Sequence, residues 1–251
     1  MKIRKRQIHF FILLFAMCSL LFHSPSDFEA FAASPSDIGA ADAETDGNNG
    51  FDRLTNVRDV STFTVGSSTY AIAVSKEGVQ MIDISDPTNI LATDAVTDGV
   101  NSITEISDTR NVETFTIGSC TYAIVVAFGD HGVQIIDVSY PTDIVAKDAV
   151  NDEDTDSNGD TLEKRRKPRG VDTFTSGTST YAIVVAGGTG SAHSGVQIID
   201  VSDPTNILAT DAVGDGDTDS NGGTFVLGEG TGVSTFTIGS STYAIVTDNN
   251  D

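Results

Sequence analysis

The chain has 251 residues, with 14 Lys and Arg against 36 Asp and Glu. A formal net charge of −22 opposes binding to nucleic-acid phosphates and to anionic membrane surfaces, and it favours solubility and cation binding. Once a leader is set aside, the length still allows a sizeable core in one domain.

Residues 1–32 read as an export signal. Lys2, Arg4, Lys5 and Arg6 form a basic start, Phe10–Phe22 (FFILLFAMCSLLF) is an apolar stretch of 13 residues, and Ala30-Phe31-Ala32 gives the small-x-small pattern for cleavage after Ala32. The apolar stretch is shorter than the about 20 residues of a membrane span. A retained N-terminal anchor is the alternative reading. Bulky Met17 makes Cys18 a poor lipidation site. Cleavage removes four basic and two acidic residues, so the net charge becomes −24. It also leaves Cys120 alone, which rules out an internal disulfide. Cys120 reads as an exchange for Ser in a repeated G-S-S-T turn, or as half of an intermolecular disulfide. The expected location is secreted, extracellular or at the cell surface.

Residues 33–251 are a repeat. The string GVQIIDVSDP at Gly195–Pro204 returns as GVQIIDVSYP at Gly132–Pro141 and as GVQMIDISDP at Gly78–Pro87. Each copy follows a block of the form V-x-T-F-T-x-G-x-x-T-Y-A-I. Its opening valines are Val60, Val112, Val171 and Val233, spaced by 52, 59 and 62 residues. A period of this size marks an array of supersecondary units, none of which buries its own faces alone.

Each unit reads as four short strands, a to d. In the first, strand a is 60–65, strand b 70–74, strand c 79–84 and strand d 90–96. Gly66 opens the a–b turn, and Pro87 presets the c–d turn. The second unit places its strands at 112–117, 122–126, 133–138 and 144–150, and the third at 171–175, 181–185, 196–201 and 207–213. Strand c carries apolar residues on both faces, which fits a small sheet covered on both sides. No helical period follows the signal. The expected fold is all-β: a β-propeller-like array of four-stranded antiparallel blades, three complete and one split or incomplete.

Residues 34–47 match 85–99, so 36–44 reads as an unpartnered strand d, while 233–247 supplies strands a and b. The blade built from these pieces lacks strand c. A four-bladed ring with a gap, a fragment of a longer array, and two incomplete rings associating all fit. An open edge on strand b is a site for self-association.

The strings GVQIIDVSDPTNI and TYAIVVA resemble the LVIVD-type β-propeller repeat of large secreted prokaryotic surface proteins. The resemblance covers residues 34–251. It implies an extracellular or cell-surface propeller, and it does not imply an assigned activity.

Loop length varies only in the b–c and d–a connections, which points to one face as the binding face. Two d–a loops read D-x-D-x-N-G: Asp154, Asp156, Asn158 and Asp160 in the first, and Asp217, Asp219 and Asn221 in the second. Alternating oxygen donors before a glycine suit Ca²⁺, with Glu163 and Glu229 as completing ligands. The plain alternative is a solvated acidic turn. A basic run, Lys164–Arg169, includes Arg165 and Arg166; it reads as an anionic-glycan patch, a processing site or local charge compensation. His131 and His193 precede strand c and are candidates for the ligand face. No nucleophile elbow, zinc-protease motif or phosphate loop is present. Strand a offers mainly Thr, Ser and Phe to a central channel.

The functional expectation is a non-catalytic adhesion, scaffold or recognition module, with calcium-ordered acidic loops and a protein or glycan partner at the cell surface. A calcium-dependent propeller hydrolase, lactonase- or phytase-like, is the alternative and needs carboxylates at the channel mouth. A fragment of a larger surface protein is the third reading.

Overall fold

The computed structural model describes residues 41–249 except 153, 160–165, 189–193 and 219–221. Strands Val57–Val65 (β1), Ser68–Ser75 (β2), Gly78–Asp83 (β3) and Leu91–Val96 (β4) form one sheet in chain order. Thr109–Ile117 (β5), Cys120–Ala127 (β6), Gly132–Asp137 (β7) and Val145–Val150 (β8) form the second. Pro168–Ser176 (β9), Ser179–Ala186 (β10), Gly195–Asp200 (β11) and Leu208–Gly214 (β12) form the third. Gly230–Ile238 (β13) and Ser241–Asp248 (β14) pair as a two-stranded sheet. Every pairing is antiparallel, and the described residues contain no helix.

The repeated a–b block is a two-residue β-hairpin. Gly66, Gly118, Gly177 and Gly239 have φ of 63–65° at the first loop position, and the next residue has ordinary φ. That is the type II′ arrangement, which needs glycine there and matches the strand twist. Register then sets Phe opposite Tyr in each hairpin, and the four ring pairs stack at 5.4–5.8 Å. Each pair contributes about 0.5–1.5 kcal/mol beyond its buried area.

The D-x-S of the c–d turn has a local role. Asp83, Asp137 and Asp200 accept the amides of Ser85, Ser139 and Ser202 at 2.8–3.0 Å. Those serine hydroxyls accept the amides of Thr69, Thr121 and Thr180 at 2.9–3.0 Å. The turn at the end of strand c is thereby tied to the a–b turn of its own blade.

The core lies between blades. One cluster packs Ile72, Val74, Val79 and Met81 of the first blade on Ile136, Val138 and Ile144 of the second. Its counterpart packs Ile124, Val126, Val133 and Ile135 of the second blade on Ile199, Val201 and Ile207 of the third. Strand-d aspartates fasten the same interfaces. Asp94 Oδ2 accepts the Ile144 amide at 2.7 Å, and Asp148 Oδ2 accepts the Ile207 amide at 2.8 Å.

Asp42 makes the equivalent contact one blade earlier, accepting the Ile90 amide at 2.9 Å. The N-terminal segment therefore meets the first blade as a strand d meets its neighbour, although 41–45 are not paired as strand. Residues 36–40 of that expected strand lie outside the described residues.

Strand a is longer than its sequence pattern suggests. It begins three residues before the repeated valine in each blade, and the register shifts there, between Val57 and Asp59, Thr109 and Asn111, Pro168 and Gly170, and Gly230 and Gly232. These bulges leave Arg58, Arg110, Arg169 and Thr231 unpaired in register. Inner strands β1, β5, β9 and β13 contact one another in series.

Candidate functional site

The b–c and d–a loops meet at one end of the array. The Ser107 amide donates to Asp130 Oδ2 at 2.7 Å, and Ser194 Oγ donates to the Gly228 carbonyl at 2.7 Å. The variable loops thus share a face, opposite the uniform a–b and c–d turns.

All four inner strands line a central cavity of about 300 Å³ near that face. Its wall carries Asp59, Asn111, Glu113, Arg169 and Asp172. This corrects the expectation that strand a offers mainly Thr, Ser and Phe. Glu113 and Asp172 alternate with the apolar positions of the strand, and the earlier strand start adds Asp59 and Arg169. Towards the turn face, β5, β9 and β13 line a second cavity of about 350 Å³ with Phe and Thr, including Phe115, Phe174 and Phe236.

Two of the three wall carboxylates are occupied as straps between blades. Asp59 Oδ2 accepts the Val112 amide at 3.0 Å and the Asn111 side-chain amide. Asn111 Oδ1 passes the link on to the Val171 amide at 2.8 Å. Asp172 Oδ2 accepts the Thr235 amide at 2.5 Å and the Thr235 hydroxyl at 2.9 Å. Gly170 lets β9 and β13 approach, since a Cβ there would lie 2.9 Å from the Gly232 Cα. Burial, with Asp172 and Asp59 nearby, pushes the Glu113 carboxyl above the usual range.

The bulges place arginines at the loop end of the inner strands. Arg110 lies 4.3 Å from the centre of the Phe128 ring, with Lys167 at 5.5 Å and Arg169 at 5.7 Å. Arg110 and Arg58 both reach Asp108, at 2.9 and 3.4 Å. These arginines were missed in the sequence, yet a signal was there: Arg stands two residues before the repeated valine in three of the four copies.

The sequence-predicted residues that are described each have their own local partners. Asp156 is 8% exposed; its oxygens accept the Ala209 amide at 2.8 Å and the Asn158 amide at 2.9 Å. Asp154 Oδ2 accepts the Asn151 amide, and Asp217 Oδ2 accepts the Gly214 amide. Glu229 pairs with Arg169 at 3.3 Å. His131 Nδ1 lies 3.6 Å from Asp152 Oδ2, which Arg166 also meets at 3.0 Å. Asp160, Glu163, Arg165, His193, Asp219 and Asn221 lie outside the described residues. Among the described residues no three Asp, Glu, His or Cys gather as a metal-holding group.

A further carboxylate at this end had no sequence signal. Glu105 is 9% exposed; Oε1 accepts the Asn151 side-chain amide at 3.0 Å, and Oε2 has no hydrogen-bond partner among the described residues. Burial, and then Asp130, Asp154 and Asp98, push its pKa up.

Four-stranded meander blades around a central cavity define an all-β, β-propeller-type repeat protein. The model of the LVIVD repeat matches residues 67–97 and 121–152, which span strands b to d of the first two blades, so the chain carries LVIVD repeats. No curated protein matches the chain. A functionally unknown protein from Desulfotomaculum acetoxidans is similar at 11% identity and TM-score 0.45, over 75% of this chain and 48% of that one. The Bombyx mori GH32 beta-fructofuranosidase BmSUC1 is similar at 16% identity and TM-score 0.36, over 65% of this chain and 41% of that one. A GH43 endo-arabinanase from Bacillus licheniformis is similar at 11% identity and TM-score 0.32, over 82% of this chain and 96% of that one. The chain spans less than half the length of the first two.

Proposed function

We propose that this chain is a non-catalytic extracellular or cell-surface module that recognises an anionic group on a glycan or protein through its loop end. The observation that carries the reading is the arginine set at the strand bulges. A protein of net charge −22 gathers Arg110, Lys167 and Arg169 around the Phe128 ring beside the mouth of its channel, with Arg58 joined to Arg110 through Asp108. Arginine's planar fork suits carboxylate, sulfate and phosphate groups. The channel carboxylates support a structural rather than chemical role for the wall, because Asp59 and Asp172 hold backbone amides of the next blade. The surface location rests on the N-terminal sequence.

The test is binding to polygalacturonate and heparin, with dextran as the neutral control, in low and high salt. Binding to an acidic polymer that weakens with salt, and weakens again in Arg110→Gln and Arg169→Gln, is the expected result. Equal retention of dextran, or of both variants, would remove the reading.

Calcium belongs to this proposal as a weak ligand of the acidic loops, in the range of about 10⁻⁴–10⁻³ M for extracellular modules. Its support is the repeated D-x-D-x-N-G sequence and the buried, unpartnered Glu105 oxygen close to Asp130 and Asp154. Against it, the described carboxylates of the two loops accept backbone amides and do not converge. Titration calorimetry at millimolar calcium decides; no heat, and a melting temperature unchanged by chelator, removes the ion.

A hydrolase is the second reading, favoured by Glu113. A carboxyl pushed up by burial beside another carboxylate is how general acids are prepared. Turnover of any ester, lactone or glycoside that Glu113→Gln abolishes would establish it.

A further inference from the structure

We infer that the anion of the proposed function is a phosphate monoester on a carbohydrate. Arg110, Lys167 and Arg169 hold its phosphate and the central cavity takes its sugar ring; this rests on the anion-recognition proposal above and gives it a ligand.

The cationic set is built once and is not a by-product of the repeat. Phe128 directly follows strand b of the second blade, where the first and third blades have Lys76 and Gly187. Around its ring stand Arg110 of β5, Arg169 of β9 and Lys167 from the approach to β9. Lys167 takes this place in a strained backbone. Its φ is +59°, in the left-handed region that a lysine rarely adopts. Asn56 and Asp108 hold the same position before their own strands, with φ of 55° and 50°. Those two residue types tolerate the region through local hydrogen bonds of a short polar side chain, which lysine lacks. Strain of this kind persists where the surroundings fix a side chain for use.

The charge count selects the anion. Arg58, Arg110, Lys167 and Arg169 meet two carboxylates at ion-pair distance, Asp108 and Glu229. Lys167 takes part in no ion pair among the described residues. Two positive charges are left over. A carboxylate, a sulfate ester or a phosphate diester brings one negative charge. A phosphate monoester brings about 1.5–2 at neutral pH, with three terminal oxygens for three donors. Arginine forks beside a lysine point charge match such a group.

The adjoining wall selects what carries the phosphate. Arg169 belongs both to the Phe128 set and to the cavity of about 300 Å³, a volume at the lower end for small-molecule sites. The cavity is lined by Asp59, Asn111, Glu113, Asp172 and Ser234, with no aromatic ring and no cation besides Arg169. Ionised carboxylates only accept hydrogen bonds, which suits sugar hydroxyls. A peptide backbone brings a carbonyl for every amide and leaves those carbonyls facing acceptors. The same carboxylates repel a second anionic group, so the phosphate is turned outward to the arginines.

The experiment titrates the full chain by calorimetry at low salt with glucose 6-phosphate, glucose 6-sulfate, glucuronate and glucose. The expected result is saturable binding of the phosphate with Kd below about 1 mM, at least about tenfold tighter than the sulfate and the uronate, and no binding of glucose. Lys167→Gln, shown folded by its melting curve, should remove most of that preference. Equal affinity for the three anions, or an unchanged preference in Lys167→Gln, overturns the phosphate assignment. Inorganic phosphate or a phosphoserine peptide binding as tightly as the sugar phosphate overturns the carbohydrate. No saturable heat from glucose 6-phosphate overturns the inference as a whole. If polygalacturonate or heparin is still retained, the anion-recognition proposal stands without it; if neither is retained, both fall.

Discussion

Asp156 separates a hydrogen-bonded strap from a metal ligand. Its carboxylate is buried between the d–a loop and β12, where it holds the Ala209 amide at 2.8 Å and the Asn158 amide at 2.9 Å. Asp156→Ala leaves both amides without this acceptor. A hydrogen bond to a charged group contributes about 1.5–3 kcal/mol, and an orphaned donor near the surface regains part of that from water. The two contacts are coupled through one side chain, so the expected loss is about 2–4 kcal/mol rather than their sum. For a domain of this size that lowers Tm by about 4–16 °C. Asp156→Asn keeps one acceptor oxygen without the charge and should lose about half as much. Calorimetric melts in calcium and in chelator are the assay. A strap gives the same loss in both. If the loss appears only in calcium, Asp156 is a metal ligand. If Asp156→Ala melts within about one degree of the parent in chelator, the reasoning from the two amides fails.

Ile135 and Ile198 occupy equivalent positions in a closed and an open interface. Ile135→Ala should cost about 3–4 kcal/mol in chemical denaturation, and Ile198→Ala about 1 kcal/mol, because only the first leaves a sealed cavity. Gly78 has φ +142°, and a Cβ there would sit 2.1 Å from the Val96 carbonyl, so Gly78→Ala should cost about 2–4 kcal/mol. Stability should rise as pH falls from neutral towards the ordinary carboxylate range. Burial raises Glu105, Glu113 and Asp130, so the native state binds protons before the unfolded chain does. Below the ordinary aspartate range the trend reverses, because Asp46, Asp86, Asp137 and Asp203 are held low by hydrogen bonds that protonation removes. Melts across this range check both limbs, and Glu105→Gln should raise Tm at neutral pH and flatten the first limb.

The sequence determined the blade. The G-x-x-T of the a–b block permits only a tight turn, and the β-branched and aromatic residues around it make strands. The D-x-S-x-P turn after strand c is satisfied by contacts a few residues away. Local chemistry of this kind is legible because each group finds its partner within the repeat.

Only the tertiary structure decided what the acidic and basic residues do. Asp59, Asp94, Asp148, Asp156 and Asp172 find their amides some 50 to 63 residues away, on the next blade or in its approach. No pattern of spacing distinguishes such a carboxylate from a metal ligand in a loop. The arginines repeat in the sequence, but their placement was hidden for a related reason. A bulge inserts one residue into an inner strand, and whether that residue faces the channel mouth depends on how four strands from different blades are gathered around one cavity.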